Sequence, residues 1–192
     1  MKVLGIVCSP RKGGNTEILV EEALAGAREA GAQTEIALVA GKNIAPCDAC
    51  SSCRKTGACR IKDDMQPIYQ QLEMADAIIF GTPVYLCNVS AQAKIIMDRT
   101  FLFRGDWRLK GKVAAPIIAV RRVGGGLTRA LLYHYFVTNK MIAAQGSIGY
   151  GREKGDVRQG EGNDSGSSAL EDARNVGKDV VQMVQQLSKP TE

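Results

Sequence analysis

Apolar segments of strand length alternate along the chain with segments in which apolar residues recur every three or four positions. This alternation predicts repeated strand–helix–strand units, which build a parallel sheet covered by helices on both faces. Segment 76–81 is almost continuously apolar, as a central parallel strand is. The predicted strands are 2–7, 34–39, 76–81, 112–121 and one within 141–149. The predicted helices are 16–30, 65–74, one capped by Ser90, one around Leu127, Leu131, Leu132 and Tyr135, and 169–187.

These elements predict one α/β domain over residues 1–192, a length that suits a single hydrophobic core. Two long polar stretches interrupt the pattern. The first, loop 40–62, carries four of the six cysteines. The second, residues 149–168, is rich in glycine and is either a surface loop or a lid or subunit contact.

Composition removes two classes of function. The formal net charge is +5 and aromatic residues make up 5% of the chain, so there is no stripe of interleaved basic and aromatic residues to bind nucleic acid. No apolar run approaches the ~18 residues that a membrane helix needs. Since the first predicted strand follows Met1 directly, without a signal peptide, we expect a cytoplasmic protein with no nucleic acid or membrane partner.

A polar loop joins the first predicted strand to the first helix. Residues 9–16 read Ser-Pro-Arg-Lys-Gly-Gly-Asn-Thr. They combine hydroxyls, two cations and the N–H groups of a helix N-terminus, which together suit a phosphate. Ligands of doubly wound sheets bind at this edge, outside the carboxyl ends of the strands. The loop matches neither a P-loop nor a dinucleotide fingerprint, and a plain glycine-rich turn is the alternative interpretation.

Two later loops leave the same edge of the predicted sheet. Residues 82–90 offer Tyr85 for stacking on a ring and Asn88 for hydrogen bonding. Gly124, Gly125 and Gly126 let the backbone approach a flat ring closely. Each loop alone also fits an ordinary turn, and Tyr85 fits an ordinary core aromatic. Together the three loops meet the needs of a flavin, which requires an apolar wall and backbone hydrogen bonds around its ring.

Specific segments carry a family resemblance. Ser9-Pro10-Arg11 with Asn15-Thr16, and Gly-Thr-Pro-Val-Tyr at 81–85 with Asn-Val-Ser-Ala-Gln at 88–92, resemble the NADPH-dependent FMN reductase group of flavodoxin-like proteins. The resemblance implies a doubly wound, five-stranded parallel sheet in the order 2-1-3-4-5 with non-covalently bound FMN. One departure is Cys87, where the family commonly has Gly and where we expect a packed, inert thiol. The predicted cofactor-binding residues are Ser9, Arg11, Asn15, Thr16, Pro83, Val84, Tyr85, Asn88, Gly124, Gly125 and Gly126.

The cysteines of loop 40–62 form a C-x2-C-x2-C-x5-C run of Cys47, Cys50, Cys53 and Cys59. Zinc sites usually take cysteine pairs from separate places, whereas a tight triple with a nearby fourth suits an iron–sulfur cubane. In two-cluster ferredoxins the fourth cysteine ligates the other cluster. Here no second run exists, and Gly57 permits a reversal that returns Cys59 to the same cluster. Zinc, a redox dithiol and spare cysteines are the alternatives.

A compact cysteine run within an FMN fold is similar to the iron-sulfur flavoproteins, and the chain is identified as a member. The resemblance implies a [4Fe-4S] cluster on the four cysteines and a homo-oligomer, a dimer or tetramer, in which cluster and flavin of neighbouring subunits approach. It implies electron transfer between a reduced donor, ferredoxin or NAD(P)H, and an acceptor. The alternatives are an NAD(P)H-dependent FMN or quinone reductase without a cluster, and a redox-sensing or zinc-stabilised FMN-binding protein.

Catalysis is expected to rest on the cofactors, with no side chain acting as general acid or base. His134, the only histidine, is expected to be packed or exposed on a helix. Asp63 and Asp64 are interpreted as caps of the helix that follows them.

Overall fold

The structure is a computed structural model that describes residues 1–160 and 167–188. The middle of the predicted 149–168 loop, residues 161–166, lies outside this part of the chain. Within the described residues there are seven strands: β1 (Lys2–Val7), β2 (Gln33–Leu38), β3 (Ala77–Tyr85), β4 (Asn88–Val89), β5 (Val113–Val120), β6 (Ile142–Ala143) and β7 (Ser147–Tyr150). The helices are α1 (Asn15–Glu29), α2 (Ser52–Thr56), α3 (Met65–Met74), α4 (Ala91–Arg99), α5 (Gly125–Thr138) and α6 (Ala169–Leu187), with 3-10 turns at Thr100–Arg104 and Asp156–Arg158.

The main strands form one parallel sheet in the order β2-β1-β3-β5-β6, with β7 also pairing with β5. The predicted order 2-1-3-4-5 is confirmed, since β5 is the predicted fourth strand and β6 with β7 forms the fifth. That fifth strand is split opposite Pro116. Proline has no N–H to donate to the ladder, and a Cβ at Gly146 would lie 2.2 Å from the Pro116 carbonyl oxygen.

Helices cover both faces of the sheet because its strands alternate apolar side chains between two cores. Leu4 and Ile78 contribute to the core beneath α3, α4 and α5. Val3 and Ile79 contribute to the core beneath α1 and α6. The predicted doubly wound α/β architecture is therefore confirmed. None of the helices in the described part of the chain has the length and hydropathy needed to span a bilayer.

The third strand is longer than the sequence pattern predicts. β3 continues past Gly81 to Tyr85 and turns back into β4, and Tyr85 pairs with Asn88. The turn consists of Leu86 and Cys87, with φ of +49° and +61°. Two-residue hairpin turns of this kind favour glycine and asparagine, so Cys87 occupies a position suited to Gly. Cys87 is exposed, so the expectation of a packed thiol is wrong. Residues 82–85, predicted as loop, therefore belong to a strand.

Cys8 follows β1 and is fully buried, while its carbonyl accepts a 2.6 Å hydrogen bond from the Ser90 hydroxyl. Burial raises the pKa of the Cys8 thiol, so the unfolded chain loses this proton at lower pH than the folded protein. The free energy of unfolding should therefore fall above pH ~8.5 by about 1.4 kcal/mol per pH unit from this thiol. We expect Cys8→Ala to flatten the decline, measured by urea unfolding between pH 7.5 and 10. Parallel pH profiles of the two proteins would contradict the prediction.

Candidate functional site

A cavity of about 330 Å³ opens at the carboxyl ends of β1, β3, β5 and β7. Its volume is within the range of small-molecule sites. It lies where the strand order reverses between β1 and β3, the expected position for a ligand of a doubly wound sheet. Seven of the eleven predicted cofactor residues line it: Ser9, Arg11, Asn15, Thr16, Pro83, Val84 and Tyr85.

The part of the cavity beside the first helix carries hydroxyl groups and a helix N-terminus. Thr16 lies in the first turn of α1 and is 1% exposed. Its Oγ1 has no hydrogen-bond partner within the described residues, which is costly for a buried hydroxyl unless a ligand completes it. The Ser9 hydroxyl accepts a hydrogen bond from the Arg11 N–H at 3.1 Å and shapes the loop. This end of the cavity therefore fits the phosphate of FMN.

Asn15 holds a neighbouring loop in place. Its Nδ2 donates to the Glu153 carbonyl at 2.8 Å, and its Oδ1 accepts from the Gly155 N–H at 2.7 Å. Both ends of the side-chain amide are thereby occupied. Asn15 lines the cavity as predicted, but its side chain is hydrogen-bonded to the wall formed by residues 151–155.

Three cations of the cavity wall are absent from the sequence prediction. Arg121, Arg152 and Lys154 line the cavity together with Arg11, and Glu153 is the single carboxylate among the lining residues of the described chain. Arg121 directly follows β5, and Arg152 comes two residues after β7. That placement after a strand's carboxyl end is a signal that could have identified them. The resulting positive charge suits a phosphorylated ligand.

Asn88, Gly124, Gly125 and Gly126 do not line this cavity. The side-chain Oδ1 of Asn88 accepts from the Val89 N–H at 2.8 Å. Gly124 has φ of +93°, and a Cβ there would lie 2.7 Å from the Cα of Cys87. The glycine turn thus packs against the hairpin turn after β3, and contact of these four residues with a flavin stays a prediction.

Replacing Thr16 with Val keeps the branched shape and removes the orphaned hydroxyl. If this hydroxyl donates to the FMN phosphate, the variant loses a hydrogen bond to a charged group, about 1.5–3 kcal/mol. We expect FMN to bind about 10- to 150-fold more weakly, measured by fluorescence titration of the apoprotein. The unfolding free energy of that apoprotein should equal or exceed the wild type's, because an unpaired buried hydroxyl has been removed.

Thr128→Val is the matched control. Thr128 is also fully buried with an unpartnered Oγ1 within the described residues, but it lies in α5 and does not line the cavity. This variant should gain about 1 kcal/mol of stability and keep wild-type FMN affinity. Equal FMN affinity of the Thr16→Val variant and the wild type would contradict a phosphate contact at Thr16.

The cysteine run lies at a second cavity. Cys47, Cys50, Cys53 and Cys59 all line it, and all four are free thiols. Cys47 and Cys50 are exposed, whereas Cys53 and Cys59 are partly buried and pack against the core beneath α3, α4 and α5. The sequence run is therefore brought together at one place on the surface, after the carboxyl end of the edge strand β2.

Left-handed backbone turns shape the cysteine loop. Gly57 has φ of +68°, and its N–H bonds to the Cys53 carbonyl at 2.9 Å. It thus ends α2 and reverses the chain toward Cys59, as predicted. Ala49 and Ser51 have φ of +55° and +59°. For residues with a side chain this conformation costs on the order of 1 kcal/mol or more each, which marks the segment between Cys47 and Cys53 as strained.

Arg99, the last residue of α4, lies beneath the cysteine loop and was not identified from sequence. Its side chain is 0% exposed and pairs with Asp63 at 2.7 Å. The signal was available, because Arg99 continues the helical spacing of the buried Ala93 and Ile96. The predicted capping holds for Asp63, whose carboxylate accepts from the N–H of Met65, the first residue of α3, at 3.1 Å besides binding Arg99. Asp64 occupies the N-cap position, but its side chain makes no capping bond and accepts from the Asn43 N–H instead.

The electrostatics of this pair follow from its burial. Burial alone would raise the pKa of Asp63, but the hydrogen bonds from Arg99, Ala45 and Met65 outweigh it and hold that pKa below its ordinary value. Burial likewise opposes the charge on Arg99, yet Asp63 and Tyr69 raise the Arg99 pKa. Both groups are therefore charged in the folded protein. Buried pairs of this kind are strongly destabilising to break.

The cysteine cavity has the donor set of an iron–sulfur cluster, four thiols. The one carboxylate among its lining residues in the described chain, Asp48, is paired with Arg60. Among residues 1–160 and 167–188, no three histidine, cysteine or acidic side chains converge as ligands of a single metal ion. A cubane binds each thiolate to a different iron, so its four ligands need not meet at one point. The donor chemistry of the four cysteines therefore fits a [4Fe-4S] cluster.

Comparison with known proteins identifies the family of the chain. The sequence model of the NADPH-dependent FMN reductase family matches residues 1–153. An iron-sulfur flavoprotein of Methanocaldococcus jannaschii is 39% identical, over 98% of this chain and 100% of its own length. One from Methanosarcina thermophila is 40% identical over 68% of this chain and 69% of its own.

Among solved structures, a flavodoxin, WrbA-like protein from Agrobacterium tumefaciens superposes with a TM-score of 0.66 at 19% identity. The match covers 96% of this chain and 97% of that one, so the two share the flavodoxin-like fold. The chain therefore belongs to the NADPH-dependent FMN reductase family, and within it to the iron-sulfur flavoproteins, as an FMN-containing flavin oxidoreductase.

Proposed function

We propose that this flavoprotein holds a [4Fe-4S] cluster as well as FMN and transfers electrons between a reduced donor and an acceptor. The observation that carries the proposal is that all four cysteines of the run line one cavity. The lining residues of that cavity and of the flavin cavity do not overlap. The chain thus provides two separate sites with different donor chemistry.

The flavin site binds and orients its cofactor with residues from four strand ends. Thr16 and the N-terminus of α1 would hold the phosphate, supported by Arg11 and the cations of the 151–155 wall. Pro83, Val84 and Tyr85 form the apolar wall that would contact the ring. Tyr85 is 43% exposed, so one side of this wall is open to solvent or to a partner.

The cluster site would use Cys47, Cys50, Cys53 and Cys59 as ligands. When both cofactors are bound, FMN exchanges one or two electrons and the cluster one, so the pair links two-electron to one-electron chemistry. The half-buried positions of Cys53 and Cys59 limit the access of water to that side of the cavity. The exposed Cys47 and Cys50 leave the other side accessible to a redox partner.

A simpler NAD(P)H-dependent FMN or quinone reductase is the second candidate. It is favoured by the cations of the flavin cavity, where Arg121, Arg152 and Lys154 accompany Arg11. Glu153 pairs with Arg121 at 3.8 Å, which leaves the charges of Arg11, Arg152 and Lys154. A phosphate monoester carries about −1.5 to −2 charge, and a phosphorylated nucleotide donor would use the remainder. This candidate needs no cluster.

One experiment tests the proposal and separates the two candidates. Protein purified without oxygen should show flavin absorption bands and a broad shoulder that dithionite bleaches, with iron and acid-labile sulfide present. Flavin bands without iron would overturn the cluster. Reduced ferredoxin and NADPH are then supplied separately in the absence of oxygen. Rapid bleaching by reduced ferredoxin supports the proposal, whereas rapid bleaching by NADPH in iron-free protein supports the second candidate.

The homo-oligomer and the cytoplasmic location also stay predictions. Exposed apolar side chains lie near the flavin cavity, including Leu86 at the hairpin turn and Val123 before the glycine turn. Covering them would require a second copy or another protein. Sedimentation equilibrium of the FMN-loaded protein measures the oligomer directly, and a monomer at micromolar concentration would contradict that prediction.

A further inference from the structure

The guanidinium of Arg99 connects the two ends of the cysteine run. Its Nη1 donates to the Ala45 carbonyl at 2.7 Å, two residues before Cys47. Its Nη2 donates to the Ile61 carbonyl at 3.5 Å, two residues after Cys59. These contacts hold both ends of the cysteine run, within loop 40–62, on the last turn of α4.

The same Nη2 lies 3.6 Å from the Sγ of Cys59, a hydrogen bond to sulfur. The remaining donors of Arg99 are also used. Nε donates to the Tyr69 hydroxyl at 3.0 Å, and Nη1 and Nη2 bind the two carboxylate oxygens of Asp63 at 2.7 and 3.1 Å. The five N–H groups of Arg99 face six acceptors, so the two hydrogens of Nη2 are shared among Asp63, Ile61 and the Cys59 sulfur. No other side chain offers as many donors in a fixed plane.

We propose that Arg99 is the positioning residue of the cluster: it clamps both ends of the cysteine loop and donates a hydrogen bond to the Cys59 sulfur that raises the cluster's reduction potential. The inference rests on the cluster of the function proposed above. Asp63 balances the charge of Arg99, so the effect on potential comes from the local N–H group rather than from a net positive charge.

The direction of the effect follows from electrostatics. A [4Fe-4S] cluster with four thiolate ligands is negatively charged and becomes more negative on reduction. A hydrogen bond to a ligand sulfur stabilises the more negative state, and such bonds are among the factors that set cluster potentials. The bond is sheltered from solvent because the Arg99 side chain is completely buried, so water cannot replace it.

The test replaces the ion pair by a neutral pair of similar shape, R99M/D63N. This double variant keeps the wild-type net charge and leaves no unpaired buried charge, whereas Arg99→Met alone would strand Asp63. We expect FMN to remain bound and the ratio of reduced to oxidised cluster at a fixed potential to fall about tenfold, which corresponds to about 59 mV for one electron. The midpoint is measured by redox titration with electron paramagnetic resonance, alongside iron content. Loss of iron with FMN retained also supports the proposal.

The matched control is R108M/E73Q. Arg108 forms an ion pair with Glu73 and donates to the Gly57 carbonyl of the same loop at 2.8 Å, but it donates to no sulfur within the described part of the chain. This variant should keep the wild-type midpoint. An equal shift in both double variants, or a wild-type midpoint in R99M/D63N, would overturn the role of Arg99.

Two further outcomes are distinguishable. If R99M/D63N loses FMN as well as iron, Arg99→Lys provides the decisive measurement. It keeps the cation beside Asp63 but not the planar fork, so it should retain FMN with a lowered midpoint, and an unchanged midpoint there overturns the inference. If the wild-type protein contains no iron and sulfide, the proposed cluster is overturned, and this inference with it. If the wild type contains iron and the variants keep the wild-type midpoint, the inference alone is overturned.

Discussion

Replacing Cys59 with Ala should reduce iron and acid-labile sulfide to background while FMN stays bound at the wild-type ratio. Cys59 is the only cysteine C-terminal to α2 in the run, so no neighbouring thiol can replace it as fourth ligand. No residue of its cavity lines the flavin site, and the flavin therefore keeps all its contacts. The measurement is iron, sulfide and FMN per chain in protein purified without oxygen, together with the dithionite-bleachable shoulder.

Cys87→Ala is the control for this prediction. Cys87 is also an exposed free thiol, but it lies in the hairpin turn after β3 and outside the cysteine cavity. Its removal should leave iron, sulfide and FMN unchanged. Full iron content in the Cys59→Ala protein would show that this thiol is not a ligand, and joint loss of FMN and iron would show that the two sites depend on each other.

The fold was predictable because its signals are local and repeated. Buried parallel strands are apolar on both faces, so segment 76–81 identified the centre of the sheet without any tertiary information. What the pattern missed depends on neighbours distant in sequence. β3 continues to Pro83 because β5 pairs alongside it as far as Ala119, and Val84 and Tyr85 extend it by pairing with β4. The fifth strand breaks opposite Pro116. Neither effect is visible in the segment concerned.

The lining of the cavity was predictable where one loop supplies several ligand-like groups, as in residues 9–16. The cations of the opposite wall were missed because Arg121 and Arg152 look like ordinary surface charges in sequence. Arg99 was missed for a related reason. A charged residue on a helix is usually exposed. The burial of Arg99 is explained only by its contacts with Asp63, 36 positions away in the sequence, and with the sulfur of Cys59.

Helices α1 and α6 cover the same face of the sheet, and their backbones contact each other. A Cβ at Gly177 would lie 1.8 Å from the Ala23 carbonyl oxygen, and one at Gly26 would lie 1.9 Å from the Arg174 carbonyl oxygen. The two glycines therefore allow reciprocal close approach of the helices. Ion pairs of Arg174 with Glu22 and Glu29 flank the crossing.

Gly177→Ala should accordingly destabilise the protein by at least about 3 kcal/mol. The added methyl group meets backbone rather than a flexible side chain, so the helices must separate and lose core contacts. For a chain of this size the melting temperature should fall by about 6–12 °C. Differential scanning calorimetry and urea unfolding of the apoprotein measure the change without a contribution from bound FMN.

Gly105→Ala is the matched control, because Gly105 has φ of −65° and ψ of −41° and its Cβ would meet no atom within 4 Å. Alanine fits that backbone, and restricting the unfolded chain should stabilise the protein by about 0.4–1 kcal/mol. The two substitutions add the same methyl group, so opposite signs isolate the helix contact as the cause. A loss below about 1 kcal/mol in Gly177→Ala would mean that α1 and α6 can move apart at little cost. The wall made by β7 and residues 151–155, which α6 supports through its packing on β7, would then not depend on that crossing.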